Sequence, residues 1–272
     1  MIDLAVIAAT PHLPELSRRG SIDMALTHLV HTRPGYADYF RTRTGAGIQV
    51  LLDNSAYERH HSHGGGLAAD AVLDAADRIR AAVLVCQDIV CDGPATVAAT
   101  SRFLRQAAGT GYRFMAVPQG RDRTEWLDCY QRLIELGVDV IGLSKLSVPR
   151  CFAAPVAEAR LACTAHLHDA GHPTALHLLG GDRSLPWELA EHRRRGHHLV
   201  ASNDSSFAYW YAARGIPLDP DTGRADHDAD QPDLDTAVAV DRLASAHRHI
   251  DLLRHAAGLD QPATATHTTV GA

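Results

Sequence analysis

Seven short apolar runs alternate along this chain with longer segments of helical period, and that rhythm constrains the fold more than any other feature. The runs are residues 3–9 (DLAVIAA), 48–53 (IQVLLD), 83–88 (VLVCQD), 113–118 (RFMAVP), 138–143 (VDVIGL), 174–179 (TALHLL) and 198–202 (HLVAS). Each has the length of a strand. The intervening segments 68–81, 94–107, 123–136, 154–170 and 186–195 carry helical periodicity, and Gly109, Gly137, Gly171 and Gly196 stand where a helix C-cap needs a permissive residue. Strand, helix, strand repeated this often predicts a parallel sheet. Seven such units in 272 residues favour a closed, TIM-like (β/α)8 barrel over an open doubly wound sheet, although only seven of the eight strands can be read. The expected organisation is one barrel domain over 1–258 and an irregular, disordered tail over 259–272. The acidic stretch 219–235 reads as a linker before a last helix at 236–257.

In a barrel, the face where strands hand over to helices carries the chemistry. Each run here ends in suitable groups: Thr10-Pro11-His12, Asp53-Asn54, Gln87-Asp88, Pro118-Gln119-Gly120, Gly142-Leu143-Ser144-Lys145, His177 with Gly180-Gly181, and Ser202-Asn203-Asp204. A single Asp after a strand commonly just caps the next helix. Three carboxylates and an amide on one face instead suggest a site with separate acid, base and binding roles. Two carboxylates of different roles suit chemistry at a glycosidic carbon, one stabilising or attacking the carbon and the other moving protons.

Composition removes other classes. There is no signal-peptide pattern and no run near the ~18 apolar residues of a membrane span, so a cytoplasmic protein without membrane partners is expected. The five cysteines show no paired close spacing, and no metal or cofactor is signalled. A net charge of −6 argues against a general polyanion-binding surface while allowing a local cleft. No G-x-G-x-x-G opens a helix after the first strand, and no P-loop is present. Of the 26 basic residues one, Lys145, is lysine.

The strand-end stretches LLDNSAYE, VCQD, VPQG, VIGLSK, HLLGG and SNDSS resemble, in order and approximate spacing, motifs of the tRNA-guanine transglycosylase superfamily. The likeness is nearest to short phage-type members that place 7-deazaguanine bases in DNA, and it spans roughly residues 48–207. The resemblance implies that Asp204 is the nucleophile that attacks C1′ and forms a covalent glycosyl-enzyme, with Asp53 as acid/base and site-shaping group. Asp88 would accept from N1–H and the exocyclic amine of the base, and Gln119 with the backbone at Gly142 and Leu143 would hold its O6 side. That division suits guanine, which offers a carboxylate two donors and offers amide donors one acceptor oxygen. Tyr57 would supply a stacking wall, and His177, Asn203 and Lys145 complete the expected substrate-binding set. Where tRNA enzymes of the family carry Gly-Gly-Phe-Gln, this chain has Ser55-Ala56-Tyr57-Glu58. No cysteine follows Cys163, so the family's C-terminal zinc site is missing; DNA is therefore favoured over tRNA as partner, with a homodimer left open.

Two rival chemistries use the same strand ends. Lys145 could form a Schiff base in an aldolase-like lyase, and His12, His177 and Asp204 could hold a hydrolytic metal. His60, His61 and His63 beside Gly64-Gly65-Gly66 read as a polar lid, and Arg193-Arg194-Arg195 as a solvated helix end on the opposite face.

Overall fold

The computed structural model describes residues 1–55, 67–172, 174–229, 234–235 and 237–260. Its strands are β1 (Asp3–Val6), β2 (Asp23–Leu26), β3 (Val50–Asp53), β4 (Val83–Val85), β5 (Arg113–Ala116), β6 (Val140–Ser144), β7 (Ala175–Leu179) and β8 (Val200–Ser205). All ladders are parallel and run in the order β1-β8-β7-β6-β5-β4-β3-β2. The result is a nearly closed TIM-like barrel. The helices are α1 (Thr27–Thr32), α2 (Pro34–Gly45), α3 (Ala69–Ile79), α4 (Gly93–Gln106), α5 (Arg123–Glu135), α6 (Ser147–Phe152), α7 (Val156–Asp169), α8 (Leu185–Arg194), α9 (Phe207–Arg214) and α10 (Val240–Ala257). No described helix is long and apolar enough to cross a membrane.

The strand missing from the sequence reading is β2. It is only four residues long and opens on a buried Asp23, whose carboxylate is neutralised by Arg43 of α2 at 2.7 Å. Alternation along each strand then divides the core. In β3, Leu51 faces the barrel interior with Met24, Val85 and Met115, while Val50 and Leu52 face outward onto Phe40, Val72 and Ile79. On the other side Ile141, Leu143, Leu176 and Leu178 pack outward against Trp126, Leu133 and Leu189. Each such side chain removed from water contributes about 1.5–3 kcal/mol. The four glycines expected to stop helices all have positive φ, between 69° and 80°.

β1 and β2 close the circle without a regular ladder. Ser21 replaces it: its amide donates to Leu4 O (2.9 Å), its hydroxyl accepts from Leu4 N (2.9 Å) and donates to Asp3 Oδ1 (2.9 Å). Gly20 passes so close to this seam that an added Cβ would lie 2.5 Å from Leu4 O and 2.7 Å from Ile22 O, both backbone atoms. Gly20→Ala is therefore expected to lower stability by about 1–3 kcal/mol, the usual range for overpacking. Urea titration of the variant checks this, and an unchanged midpoint would show that the seam yields freely.

Candidate functional site

A cavity of about 140 Å³ opens at the C-terminal ends of the strands. Ile7, Met24, Val85, Val117 and Leu179 form its apolar wall, and Asp53, Asn54, Asp88, Gln119, Lys145 and Asp204 bring polar groups from the four successive strand ends of β3 to β6 and from β8 into it. It is small beside the roughly 300–1,000 Å³ of sites for drug-sized ligands. Its size suits a small ligand.

Asp88 is built to accept. Asn54 Nδ2 donates to its Oδ1 at 3.1 Å and to Cys86 O at 2.6 Å, and Gln119 Nε2 donates to its Oδ2 at 2.7 Å. Gln119 Oε1 in turn accepts from Cys91 N (3.3 Å), which fixes the amide's orientation. Asp88 keeps part of its surface open toward the cavity, yet the protein around it is dense enough for burial to raise its pKa above 3.8; the two amide bonds oppose that rise. Each carboxylate oxygen retains acceptor capacity for a ligand edge carrying two neighbouring donors.

Asp204 belongs to β8 and does not cap α9, whose N-cap Ser206 makes no side-chain bond to the helix. Its Oδ1 receives His177 Nε2 at 3.0 Å and the Gly180 amide at 3.1 Å. Oδ2 accepts no hydrogen bond among the described residues, and the side chain lines the cavity. Helix capping falls to other aspartates: Asp92 accepts from Ala95 N and starts α4, and Asp122 accepts from Glu125 N and starts α5. At Asp53, the following chain turns back through Ser55, whose φ of 57° lets its amide donate to Oδ1 at 2.6 Å. Ser55 Oγ is held by His28 Nδ1 of α1 at 2.8 Å, so the end of β3 is anchored to its own helix layer.

Of the residues expected at the site, Asp53, Asp88, Gln119, Lys145 and Asp204 share the cavity. Lys145 Nζ lies 5.4 Å from the ring centroid of Trp210, a cation–π arrangement. His177 is fully buried beneath Asp204. Gly142 faces the interior, but Leu179 covers it: a Cβ there would meet Leu179 Cδ1 at 2.5 Å. Leu143 points outward into the helix layer. Asn203 also points away, its Nδ2 donating to Leu178 O (2.7 Å), Gly180 O (3.2 Å) and Asp204 O (2.9 Å). Tyr57 and the histidines 60, 61 and 63 lie outside the described residues. His12 is engaged elsewhere, its Nε2 accepting from Val238 N at 2.9 Å, and among the described residues no three His, Cys, Asp or Glu side chains gather into a metal-binding group.

The sequence reading missed Asn54 as a support for Asp88, Met24 on the unseen strand, and the clamp that shapes the β6 and β7 ends. That clamp is Arg160 of α7, completely buried and paired with Glu188 of α8 through two bonds of 2.7 and 2.6 Å. Its remaining nitrogen, Nη1, donates to Leu143 O (3.3 Å), Leu179 O (3.1 Å) and Gly180 O (3.1 Å). An Arg and a Glu 28 positions apart on two helices leave no local signal of pairing.

No protein-family model matches the chain, and no curated protein matches it.

Proposed function

We propose that the chain is a transglycosylase that exchanges guanine in a nucleic acid, DNA in preference to tRNA, for a 7-deazaguanine base. The observation that carries this reading is the pairing of two unlike carboxylates in one small cavity. Asp204 keeps one oxygen fixed and one without a hydrogen bond from the described residues, while Asp88 is held as an acceptor by two amides. In the proposed reaction Asp204 Oδ2 forms a bond to C1′ as the C1′–N9 bond of guanosine breaks. Guanine departs with the electron pair and takes up a proton, for which Asp53 is the donor. The incoming base then gives its N9 proton back to Asp53 and attacks C1′, and the Asp204 ester breaks. Asp88 reads the N1–H and amino edge of either base, which the two share.

Lys145 in the same cavity gives the Schiff-base lyase its one supporting observation. Its contact with the Trp210 ring is one that a lysine cation makes at a cavity wall and adds nothing to the lyase reading. Mass spectrometry of nucleosides from DNA and RNA of cells expressing the protein separates the acceptors. Borohydride trapping with a carbonyl substrate, in place of base incorporation, would replace this reading with the lyase.

Asp88→Asn is expected to weaken guanine binding by about 1.5–3 kcal/mol, the cost of one charge-assisted pair, with an unchanged far-UV spectrum. Unaltered affinity in titration calorimetry would remove Asp88 from the pocket. A pH dependence follows as well. Binding needs the ionised carboxylate, and burial holds its pKa above 3.8, so affinity is expected to fall on acidification at a higher pH than an ordinary aspartate would set. Binding should release protons on that acid side. Calorimetry in two buffers of different ionisation heat measures the release, and identical heats would contradict it.

A further inference from the structure

We infer that His177 is the positioning residue for Asp204: with Ser202 holding its other ring nitrogen, it donates to Asp204 Oδ1 and aims Oδ2 into the cavity. Its catalytic meaning rests on the base exchange proposed above, whereas the hydrogen-bond assignment rests on geometry alone. The ring is fully buried, with Nε2 3.0 Å from Asp204 Oδ1 and Nδ1 2.7 Å from Ser202 Oγ. An ionised carboxylate can only accept, so Nε2 carries the proton. In the neutral ring Nδ1 is then a bare acceptor, and the Ser202 hydroxyl is the group in place to donate to it. The opposite tautomer would set a nitrogen lone pair against a carboxylate lone pair and leave the buried ring half satisfied.

The ladder itself brings the three together. Leu176 pairs with Val200, but His177 pairs with Ser202, so a bulge skips Ala201. Regular pairing would put His177 opposite Ala201, which has no hydroxyl. Asp204 follows Ser202 by two residues and points to the same side of the sheet. The order is the reverse of a hydrolase triad. Ser202 lines a separate cavity of about 100 Å³ with Ile22, Leu51 and Val83, whereas Asp204 lines the larger one at the strand ends. The carboxylate, and not the hydroxyl, is the group presented to a substrate. Gly180 N supplies the second donor to Oδ1, so both fixed bonds fall on one oxygen.

The test uses the full chain labelled with 15N-histidine. Wild-type His177 is expected to carry its proton on Nε2 toward Asp204, and Ser202→Ala should give a mixture of tautomers. In base exchange, His177→Leu should lower kcat about 10²-fold, the scale seen on losing one fixed donor at a reacting oxygen, with KM for the incoming base unchanged. His177→Gln places an N–H near the position of Nε2 and should recover most of that loss. Ser202→Ala should cost about tenfold in kcat, the scale of a supporting hydrogen bond; it carries the test if His177→Leu fails to fold by circular dichroism. An Nδ1–H tautomer in the wild-type spectrum overturns the assignment whether or not the protein exchanges bases. A folded His177→Leu enzyme with wild-type kcat overturns it too. A wild type with the expected tautomer that exchanges no base from DNA, tRNA or nucleotide sinks the transglycosylase reading instead.

Discussion

Asp204→Asn is expected to abolish base exchange while leaving the barrel standing. The amide is nearly isosteric, and its oxygen can keep the bonds from His177 and Gly180 that Oδ1 now accepts. The group turned to the cavity becomes an NH2, which cannot attack C1′. Loss of a nucleophile costs on the order of 10⁴–10⁶ in kcat. With a guanine-containing oligonucleotide and a 7-deazaguanine analogue, the wild type should give a protein–nucleic acid band on a denaturing gel, and the variant none. Exchange of labelled guanine by the variant at the wild-type rate would return Asp204 to a structural role.

The largest effect on stability is expected at Arg160→Met. The substitution leaves Glu188 buried without its arginine partner and removes the Arg160 donor from the carbonyls of Leu143, Leu179 and Gly180. Breaking a buried pair from one side costs about 3–5 kcal/mol, so Tm should fall by about 6–20 °C. Adding Glu188→Leu removes the stranded charge and should restore much of the stability, because a buried pair and an apolar replacement are often close in energy. It cannot restore the three carbonyl bonds. The double variant should therefore be folded but poor at exchange, since Gly180, whose amide holds Asp204, has lost one of the two donors to its carbonyl and keeps only Asn203 Nδ2 at 3.2 Å. Calorimetric melting and exchange assays on both variants check this, and a double variant with full activity would show that the clamp serves stability alone. Burial by itself would raise the Glu188 pKa, but Arg160 and His192 together outweigh it and hold the group below 4.5. The pair's electrostatic contribution is thus complete above pH 4.5 and is lost as pH falls through the depressed value.

The strand rhythm was legible because strands buried on both faces read as compact apolar runs between helices. β2 escaped because its first residue is a charged Asp23 that only Arg43, 20 positions away, makes tolerable inside the protein. β8 was cut short at Ser202 for a similar reason: Asn203 and Asp204 look like the end of a strand, yet both remain in the ladder. Each is accommodated by partners on β7 or just beyond it, Asn203 by carbonyls outside the barrel and Asp204 by His177 and Gly180 at its mouth.

By itself, the sequence determined which face could carry chemistry. Parallel strands all finish at one end of the barrel, so any ring of polar strand-end residues must gather there, whatever the details of packing. Which members of the ring look into the mouth was decided by tertiary structure alone. Side chains alternate across a strand, so inward or outward direction depends on register, and register is set by contacts with neighbouring strands and helices. Asp204 therefore faces the cavity while Asn203 beside it does not, and a single bulge places Ser202 under His177. Leu179 likewise covers Gly142 from the next strand. Composition and local pattern carry no record of such pairings, because they join residues that meet only when the sheet closes.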